Sequence, residues 1–150
     1  DFNWNIISGI MFNHESEFRG KKYLISKIIT SARNIKEHKE TELFIGSLEY
    51  IRDWSFAGDI INSIHELMRL KSSGTYVIGS GVGNSIENLV NLVFSYFDLK
   101  YTDYVRIDET LLRKGDPIVK IANPKKLKDS TKLEPYLSFE ELIVRCIEKT

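Results

Sequence analysis

Apolar and polar residues alternate along the chain at two periods, and these periods predict strands and helices in turn. The stretch from Asn5 to Phe12 is apolar without strict alternation, which is typical of a strand buried on both faces. Apolar residues three and four positions apart then predict a helix from Lys21 to Lys36. The same patterns predict strands at 43–45, 75–78 and 104–107 and helices after residues 53, 85, 123 and 138. This order, β-α-β-α-β-α-β-α-α, favours an α/β layer architecture.

Capping residues mark the starts of four predicted helices. Their side chains can accept hydrogen bonds from first-turn amides that have no helical partner. Either Asp53 or Ser55 can cap the second helix. The later helices begin at Ser85, at Asn123-Pro124 and at the capping box Ser138-Phe139-Glu140-Glu141.

The composition is that of an ordinary globular chain. Its 150 residues are 42% hydrophobic and 28% charged, which suits one domain with a core and is too short for two. Basic and acidic residues number 21 each, so the net charge of zero gives no reason to expect nucleic acid as a partner. No apolar run approaches the ~18 residues that a membrane span needs, so no membrane partner is expected.

The single cysteine, Cys146, cannot form an internal disulfide and lies on the apolar stripe of the last predicted helix. We therefore expect a buried, reduced thiol in a cytoplasmic protein. The spacing of cysteine and histidine residues suggests no metal site.

The sequence starts at Asp1 rather than at methionine, and a predicted core strand follows almost at once. A natural domain rarely starts so abruptly. We expect the chain to be the carboxyl-terminal part of a longer protein.

The stretch from Gly9 to Gly20 (GIMFNHESEFRG) leads from the first predicted strand towards the first predicted helix. It holds an amide, an imidazole, a carboxylate, a hydroxyl and a guanidinium between Asn13 and Arg19. In open α/β sheets, ligands bind beyond the carboxyl ends of strands. The loop is therefore a candidate ligand site. By itself, His14 could be a general base, a ligand contact or a hydrogen-bonded loop residue.

Gly79, Gly81 and Gly83 follow a strand and precede a helix, as in a dinucleotide-binding turn. The fingerprint of that turn needs a glycine at the position of Asn84, however. A tight turn explains the three glycines more simply.

Tyr23 and Lys27 match the Tyr-x-x-x-Lys pattern of catalytic pairs in short-chain dehydrogenases. A pattern with two fixed positions is weak, and we interpret the match as coincidental.

Three separate loops each contain an arginine, namely Arg19, Arg52 and Arg113. A planar guanidinium binds phosphate oxygens bidentately and keeps its charge. If the loops converge, the three side chains suit an anionic ligand such as a diphosphate. Taken singly, Arg52 and Arg113 fit solvated surface charges equally well.

Several motifs occur in a fixed order along the chain. They are the Asn-His-Glu-Ser run with the following Arg-Gly, the stretch 43–48 (LFIGSL), the run 52–54 (RDW) and the stretch 138–142 (SFEEL). Together they resemble the carboxyl-terminal half of GDP-mannose 4,6-dehydratases, which are extended short-chain dehydrogenase/reductases. The similarity extends over essentially the whole chain.

The resemblance implies an α/β fold: the carboxyl-terminal portion of an NAD(P)-binding Rossmann-fold protein, with a small α/β substrate-binding lobe. Residues 1–20 would form the last part of the Rossmann sheet and the ligand loop. Residues 21–150 would form mainly the nucleotide-sugar-binding lobe.

The resemblance also implies roles for individual residues. His14 and Arg19 correspond to contacts with NADP. The implied substrate contacts are Asn13, Lys27, Arg52, Arg113 and Asp116. The implied activity of the full-length protein is NADP-dependent dehydration of GDP-mannose to GDP-4-keto-6-deoxymannose, in a homodimer or homotetramer.

The sequence departs from the family at two places. Glu17 and Phe18 replace a proline and an arginine, and the loop at 112–117 (LRKGDP) differs, which concerns the preference for guanine. The catalytic residues of the family lie in an amino-terminal half that this sequence does not contain. We therefore expect no catalytic residue in this chain and no activity from the chain alone.

Two alternatives stay open. One is a related nucleotide-sugar reductase or epimerase, or a dehydratase that acts on another nucleotide. The other is a non-catalytic module that binds a sugar nucleotide.

Overall fold

The elements follow the predicted alternation, with short additional strands between them. The computed structural model describes residues 4–70 and 73–149. Its strands are β1 (Ile7–Met11), β2 (Asn13–Glu15), β3 (Leu43–Ile45), β4 (Ile51–Arg52), β5 (Trp54–Phe56), β6 (Gly74–Ile78), β7 (Asn84–Ser85), β8 (Val105–Ile107) and β9 (Val119–Lys120). Its helices are α1 (Leu24–Lys36), α2 (Ala57–Arg69), α3 (Ile86–Tyr96), α4 (Tyr101–Tyr104), α5 (Lys125–Thr131) and α6 (Phe139–Lys149), with a 3₁₀ turn at Glu109–Leu111.

Parallel pairing joins strands that are distant in sequence. β1 pairs with β6, β2 with β5 and β3 with β8, each in parallel. β4 lies between β7, which is antiparallel to it, and β9, which is parallel. Parallel neighbours need long crossover connections. The helices lie within these connections, with α1 between β2 and β5 and with α2 and α3 between β3 and β8.

Two clusters of buried apolar side chains hold these elements together. The larger one joins α1, α3 and α6 to β3, with Ile28, Leu89 and Phe94 fully buried at its centre. The smaller one joins α2, β6 and α5 through Ile60, Leu67, Tyr76, Ile78 and Leu127. Ile7 of β1 packs against this smaller cluster, so α2 and β6 share a core with β1. The predicted division of the chain at residue 20 stays a prediction.

Strand β1 differs from the prediction of a strand buried on both faces. Ile10 and Met11 are each 51% exposed. Among the described residues β1 has one neighbouring strand, β6, so its other edge is not paired there. The apolar run at 5–12 correctly predicts a strand. It does not predict how much of the strand is buried by the rest of the chain.

The start of α2 is also different from prediction. Its N-cap residue is Phe56, and no side chain caps it. Asp53 and Ser55 precede this position within and beside β5, and Asp53 bonds to other backbone amides described below. Helix α1 begins at Leu24 rather than at Lys21, because the preceding Tyr23 is extended.

Two predicted helix starts are seen in the structure, and a third is shifted by one residue. Ser85 Oγ accepts the Asn88 amide at 3.0 Å and caps α3. The capping box closes in both directions, from the Glu141 amide to Ser138 Oγ at 3.2 Å and from the Ser138 amide to Glu141 Oε2 at 2.8 Å. The side chain of Asn123 accepts the Lys125 amide at 3.2 Å. The N-cap residue of α5 is Pro124, and the helix begins one residue later than predicted.

Across residues 4–70 and 73–149, every helix is too short or too polar to cross a membrane.

Candidate functional site

Strand β2 carries three polar residues of the first loop. Asn13 is exposed, His14 is half-buried and Glu15 is buried. His14 Nδ1 lies 3.0 Å from the carbonyl oxygen of Phe12. A carbonyl only accepts, so this contact places a proton on Nδ1 and leaves Nε2 as the ring nitrogen for a ligand.

Glu15 lies beside the guanidinium of Arg19, with 3.5 Å between Glu15 Oε2 and Arg19 Nε. The guanidinium carbon is 3.5 Å from the centroid of the Tyr23 ring, which is a cation–π contact. The Arg19 carbonyl accepts the hydroxyl of Ser26 at 3.0 Å. Burial raises the pKa of Glu15 above its usual value, and the charges of Arg19 and His14 oppose this shift.

Arg52 and Asp116, predicted as separate substrate contacts, form one ion pair. Arg52 Nη2 donates to Asp116 Oδ2 at 2.8 Å, and Nη1 donates to the carbonyls of Ile51 and Ile118 at 2.8 and 2.9 Å. The guanidinium also stacks 4.9 Å from the Tyr50 ring centroid. Arg52 is buried at 8% exposure, so it holds the 116–118 segment against β4.

Arg113 lies three residues before Asp116 and is exposed. Its carbonyl accepts the Asp116 amide at 3.2 Å, in a turn where Gly115 has a φ of +79°. The backbone of Arg113 thus lies in the same turn as Asp116, the partner of Arg52. Arg19 belongs to a different group, with Glu15.

Tyr23 and Lys27 serve separate contacts. The ring of Tyr23 supports Arg19, and Lys27 Nζ donates to the carbonyl of Phe44 at 2.9 Å, which ties α1 to β3. These contacts agree with the interpretation of the Tyr-x-x-x-Lys match as coincidental.

Asp53 was predicted only as a possible helix cap, and the structure gives it a different role. It is completely buried, and its carboxylate accepts the Ser80 amide at 3.0 Å, the Ser80 hydroxyl at 2.7 Å, the Gly81 amide at 2.8 Å and the Ala122 amide at 3.2 Å. An aspartate beside a buried strand, in a chain with a glycine-rich turn, is the only sequence signal for this role.

The glycine-rich turn packs tightly around that carboxylate. A Cβ on Gly79 would lie 2.6 Å from the Cβ of Ala122 and 3.1 Å from Asp53 Oδ2, and Gly81 has a φ of +80°. Glycine is therefore required at both positions for the turn itself. The interpretation as a tight turn is confirmed.

A cavity of about 620 Å³ lies elsewhere, between α2, α5 and residues 133–140. Trp54, Ser63 and Tyr136 are among its lining residues, and none of the predicted site residues lines it. Its volume is within the range of small-molecule pockets. The predicted contacts therefore do not converge on this cavity.

Cys146 is buried, as predicted. Burial, reinforced by the charges of Glu15 and Glu17, raises the pKa of its thiol to about 12. The thiol is therefore protonated at neutral pH and unreactive.

The described part of the chain also contains no group of three or more His, Cys, Asp or Glu residues that could hold a metal ion.

The same arrangement of strands and helices occurs in solved structures. RMD from Pseudomonas aeruginosa, complexed with NADPH, matches 97% of the chain with a TM-score of 0.85 and 16% identity, over 47% of its own length. The dTDP-glucose 4,6-dehydratase from Bacillus anthracis, in complex with NAD, matches 95% of the chain with a TM-score of 0.79 and 20% identity, over 43% of its length. The chain therefore has an α/β fold of the Rossmann type and spans a little under half of each of these two proteins. The predicted fold class is confirmed.

Sequence comparison identifies the family within this class. The family profile described as GDP-mannose 4,6 dehydratase matches residues 1–146. GDP-mannose 4,6 dehydratase 2 of Arabidopsis thaliana is 31% identical over 95% of the chain, and the Drosophila melanogaster GDP-mannose 4,6 dehydratase is 34% identical over 83%. The chain belongs to the GDP-mannose 4,6-dehydratase family. It spans 38% and 32% of the length of these two relatives.

Proposed function

We propose that this chain forms the nucleotide-sugar-binding part of an NADP-dependent GDP-mannose 4,6-dehydratase. The observation that carries the proposal is the family match over residues 1–146. Two neighbours in structure support a dinucleotide and a nucleotide sugar as ligands, because one is complexed with NADPH and another, MoeE5, with UDP-glucose and NAD.

The residues at the first loop fit a dinucleotide phosphate. Arg19 Nε is buried, but within the described residues the terminal nitrogens Nη1 and Nη2 make no hydrogen bond, and 33% of the side chain is exposed. His14 Nε2 adds a second polar atom on the adjoining strand. We assign Arg19 and His14 to NADP. When bound, NADP supplies the acceptor and later the donor of the hydride in a redox-neutral dehydration.

The substrate contacts divide into direct and indirect ones. The exposed guanidinium of Arg113 and the exposed amide of Asn13 can bind a diphosphate and a sugar hydroxyl directly. Arg52 fixes Asp116, whose second carboxylate oxygen can accept from a nucleoside. Lys27 secures the adjoining end of α1 and lies near enough to the surface to add positive charge.

The chain by itself binds but does not catalyse, in this proposal. The test is calorimetric titration of the purified chain with GDP-mannose, UDP-glucose and dTDP-glucose, alongside NMR detection of a 4-keto product. We expect binding of GDP-mannose and no turnover. Turnover by the chain alone would show that catalytic residues are present here. Failure to bind any of the three nucleotide sugars would contradict the substrate assignment.

Catalysis is tested in a chimera. The chain replaces the matching segment of the Arabidopsis thaliana relative, to which it is 31% identical. A folded chimera that dehydrates GDP-mannose supports the dehydratase assignment. A folded chimera that binds GDP-mannose without converting it favours a non-catalytic binding module.

A further inference from the structure

The ion pair between Glu15 and Arg19 is unusual in its hydrogen bonding. Glu15 Oε2 and Arg19 Nε are both buried, and within the described residues neither atom has a hydrogen-bond partner, although they lie 3.5 Å apart. The Glu15 side chain is 7% exposed. A buried carboxylate oxygen without a hydrogen bond destabilises a fold, since the attraction of one cation rarely offsets the lost hydration. Stability alone therefore does not explain a glutamate at this position.

A second glutamate in the same loop shows the usual arrangement. Glu17 accepts three contacts from Arg145, with Arg145 Nη2 2.7 Å from Oε1 and Nε 3.2 and 3.1 Å from Oε1 and Oε2. This geometry satisfies the carboxylate and is typical of a structural ion pair. Glu15 and Glu17 thus provide a matched comparison.

Arg19 is fixed at one end only. Glu15 borders its Nε, the Tyr23 ring covers the guanidinium at 3.5 Å, and the Ser26 hydroxyl holds its carbonyl. The terminal nitrogens are not among the buried unpartnered atoms of the described residues, so solvent reaches them. They carry four N–H donors in a planar fork.

We propose that Glu15 is a positioning residue that orients Arg19, so that its terminal nitrogens face a phosphate of the bound dinucleotide. The inference rests on the proposed cofactor role of Arg19. A long side chain loses rotamer freedom when it binds, and a neighbour that fixes it beforehand removes part of that cost. The buried charge of Glu15 destabilises the fold, and its benefit is tighter binding of the dinucleotide.

The substitution E15Q separates binding from stability. It keeps the shape of the side chain, removes the buried charge and weakens the hold on Arg19. We expect unchanged or raised thermal stability together with about tenfold weaker binding of NADP+, because the Arg19 side chain would then have to be ordered when the dinucleotide binds. If Glu15 were only structural, E15Q would lower both the thermal stability and the affinity for NADP+. E17Q is the matched control and is expected to leave NADP+ affinity unchanged.

A double-mutant cycle shows whether Glu15 acts through Arg19. The variants are E15Q, R19L and both together, with NADP+ affinity measured by calorimetry and GDP-mannose affinity as the internal reference. We expect the double variant to bind NADP+ no more weakly than R19L. If the double variant loses as much NADP+ binding free energy as the two single variants together, the inference is overturned.

Arginine NMR provides a readout that needs no ligand. Arg19 Nε is buried beside Glu15, so its N–H signal in the wild-type chain should exchange slowly with solvent, and E15Q should accelerate that exchange about tenfold by loosening the side chain. Unchanged exchange overturns the positioning role. If wild-type protein fails to bind NADP+, the proposed cofactor role is wrong, and this exchange measurement still decides the role of Glu15. Should E15Q not fold, E15D is measured in its place, with the same effect expected in weaker form.

Discussion

The carboxylate of Asp53 accepts the backbone amide of Ala122 at 3.2 Å, although 69 positions separate the two residues. The same carboxylate holds the turn at Ser80 and Gly81. One buried side chain therefore joins the end of β6, the segment after β9 and the start of β5.

Replacing Asp53 by alanine should destabilise the chain by about 3–5 kcal/mol, because it leaves several buried donors without an acceptor. Chemical denaturation followed by circular dichroism measures this change. Asp129, whose partner Lys125 is exposed, provides the control, and D129A should leave the free energy of unfolding almost unchanged. Similar effects of the two substitutions would show that the buried hydrogen bonds of Asp53 contribute little.

Arg113 and Arg52 should differ in how they affect GDP-mannose binding. R113A removes an exposed charge, so it should weaken binding about tenfold and leave the melting temperature unchanged. R52A removes a buried partner of Asp116 and two carbonyls, so it should lower both affinity and melting temperature. Calorimetry and thermal melts of both variants measure the contrast. A stable R52A variant with normal affinity would show that the ion pair is not needed to shape the 116–118 segment.

Glu15 should give stability a defined dependence on pH. Its pKa in the folded chain is raised by burial, above the ordinary value of 4.5. The protonated form is therefore favoured by folding, and the stability that this contributes is present below about pH 4.5 and is lost as pH rises through the folded-state pKa. Thermal melts of wild type and E15Q should coincide in acid, and E15Q should become the more stable of the two at neutral pH. Curves that stay parallel across this range would contradict the assignment to Glu15.

The open edge of β1 should promote self-association of the isolated chain. Ile10 and Met11 are half-exposed beside backbone groups that no strand of the described residues pairs. I10K should shift the sedimentation profile towards monomer, whereas V144K on the exposed face of α6 should not. A wild-type chain that sediments as a stable monomer at all concentrations would count against this prediction.

Local patterns predicted local structure well in this chain. Ser85 and the capping box at 138–141 cap their helices because donor and acceptor are three residues apart. The roles of Asp53 and Arg52 depend on partners 69 and 64 positions away, and sequence spacing contains no information about such contacts. The burial of β1 was predicted wrongly for a related reason. An apolar run shows that a strand suits a core, but the neighbouring strands decide whether it is covered.

The candidate site was predicted in part. The loop from Asn13 to Arg19 and the arginines were chosen for their chemistry, and the structure groups Arg52 with Asp116 as one pair. The buried Glu15 was not singled out, because a glutamate in a polar stretch of sequence is usually solvated, and only the fold shows that this one is buried.

The buried thiol of Cys146 can be used as a chemical probe of local unfolding at one site in the larger core. An alkylating reagent can modify this sulfur only while α6 is detached from α1 and α3. The rate of modification, followed by mass spectrometry, therefore records how often the larger core opens, without any added label and at a single known atom.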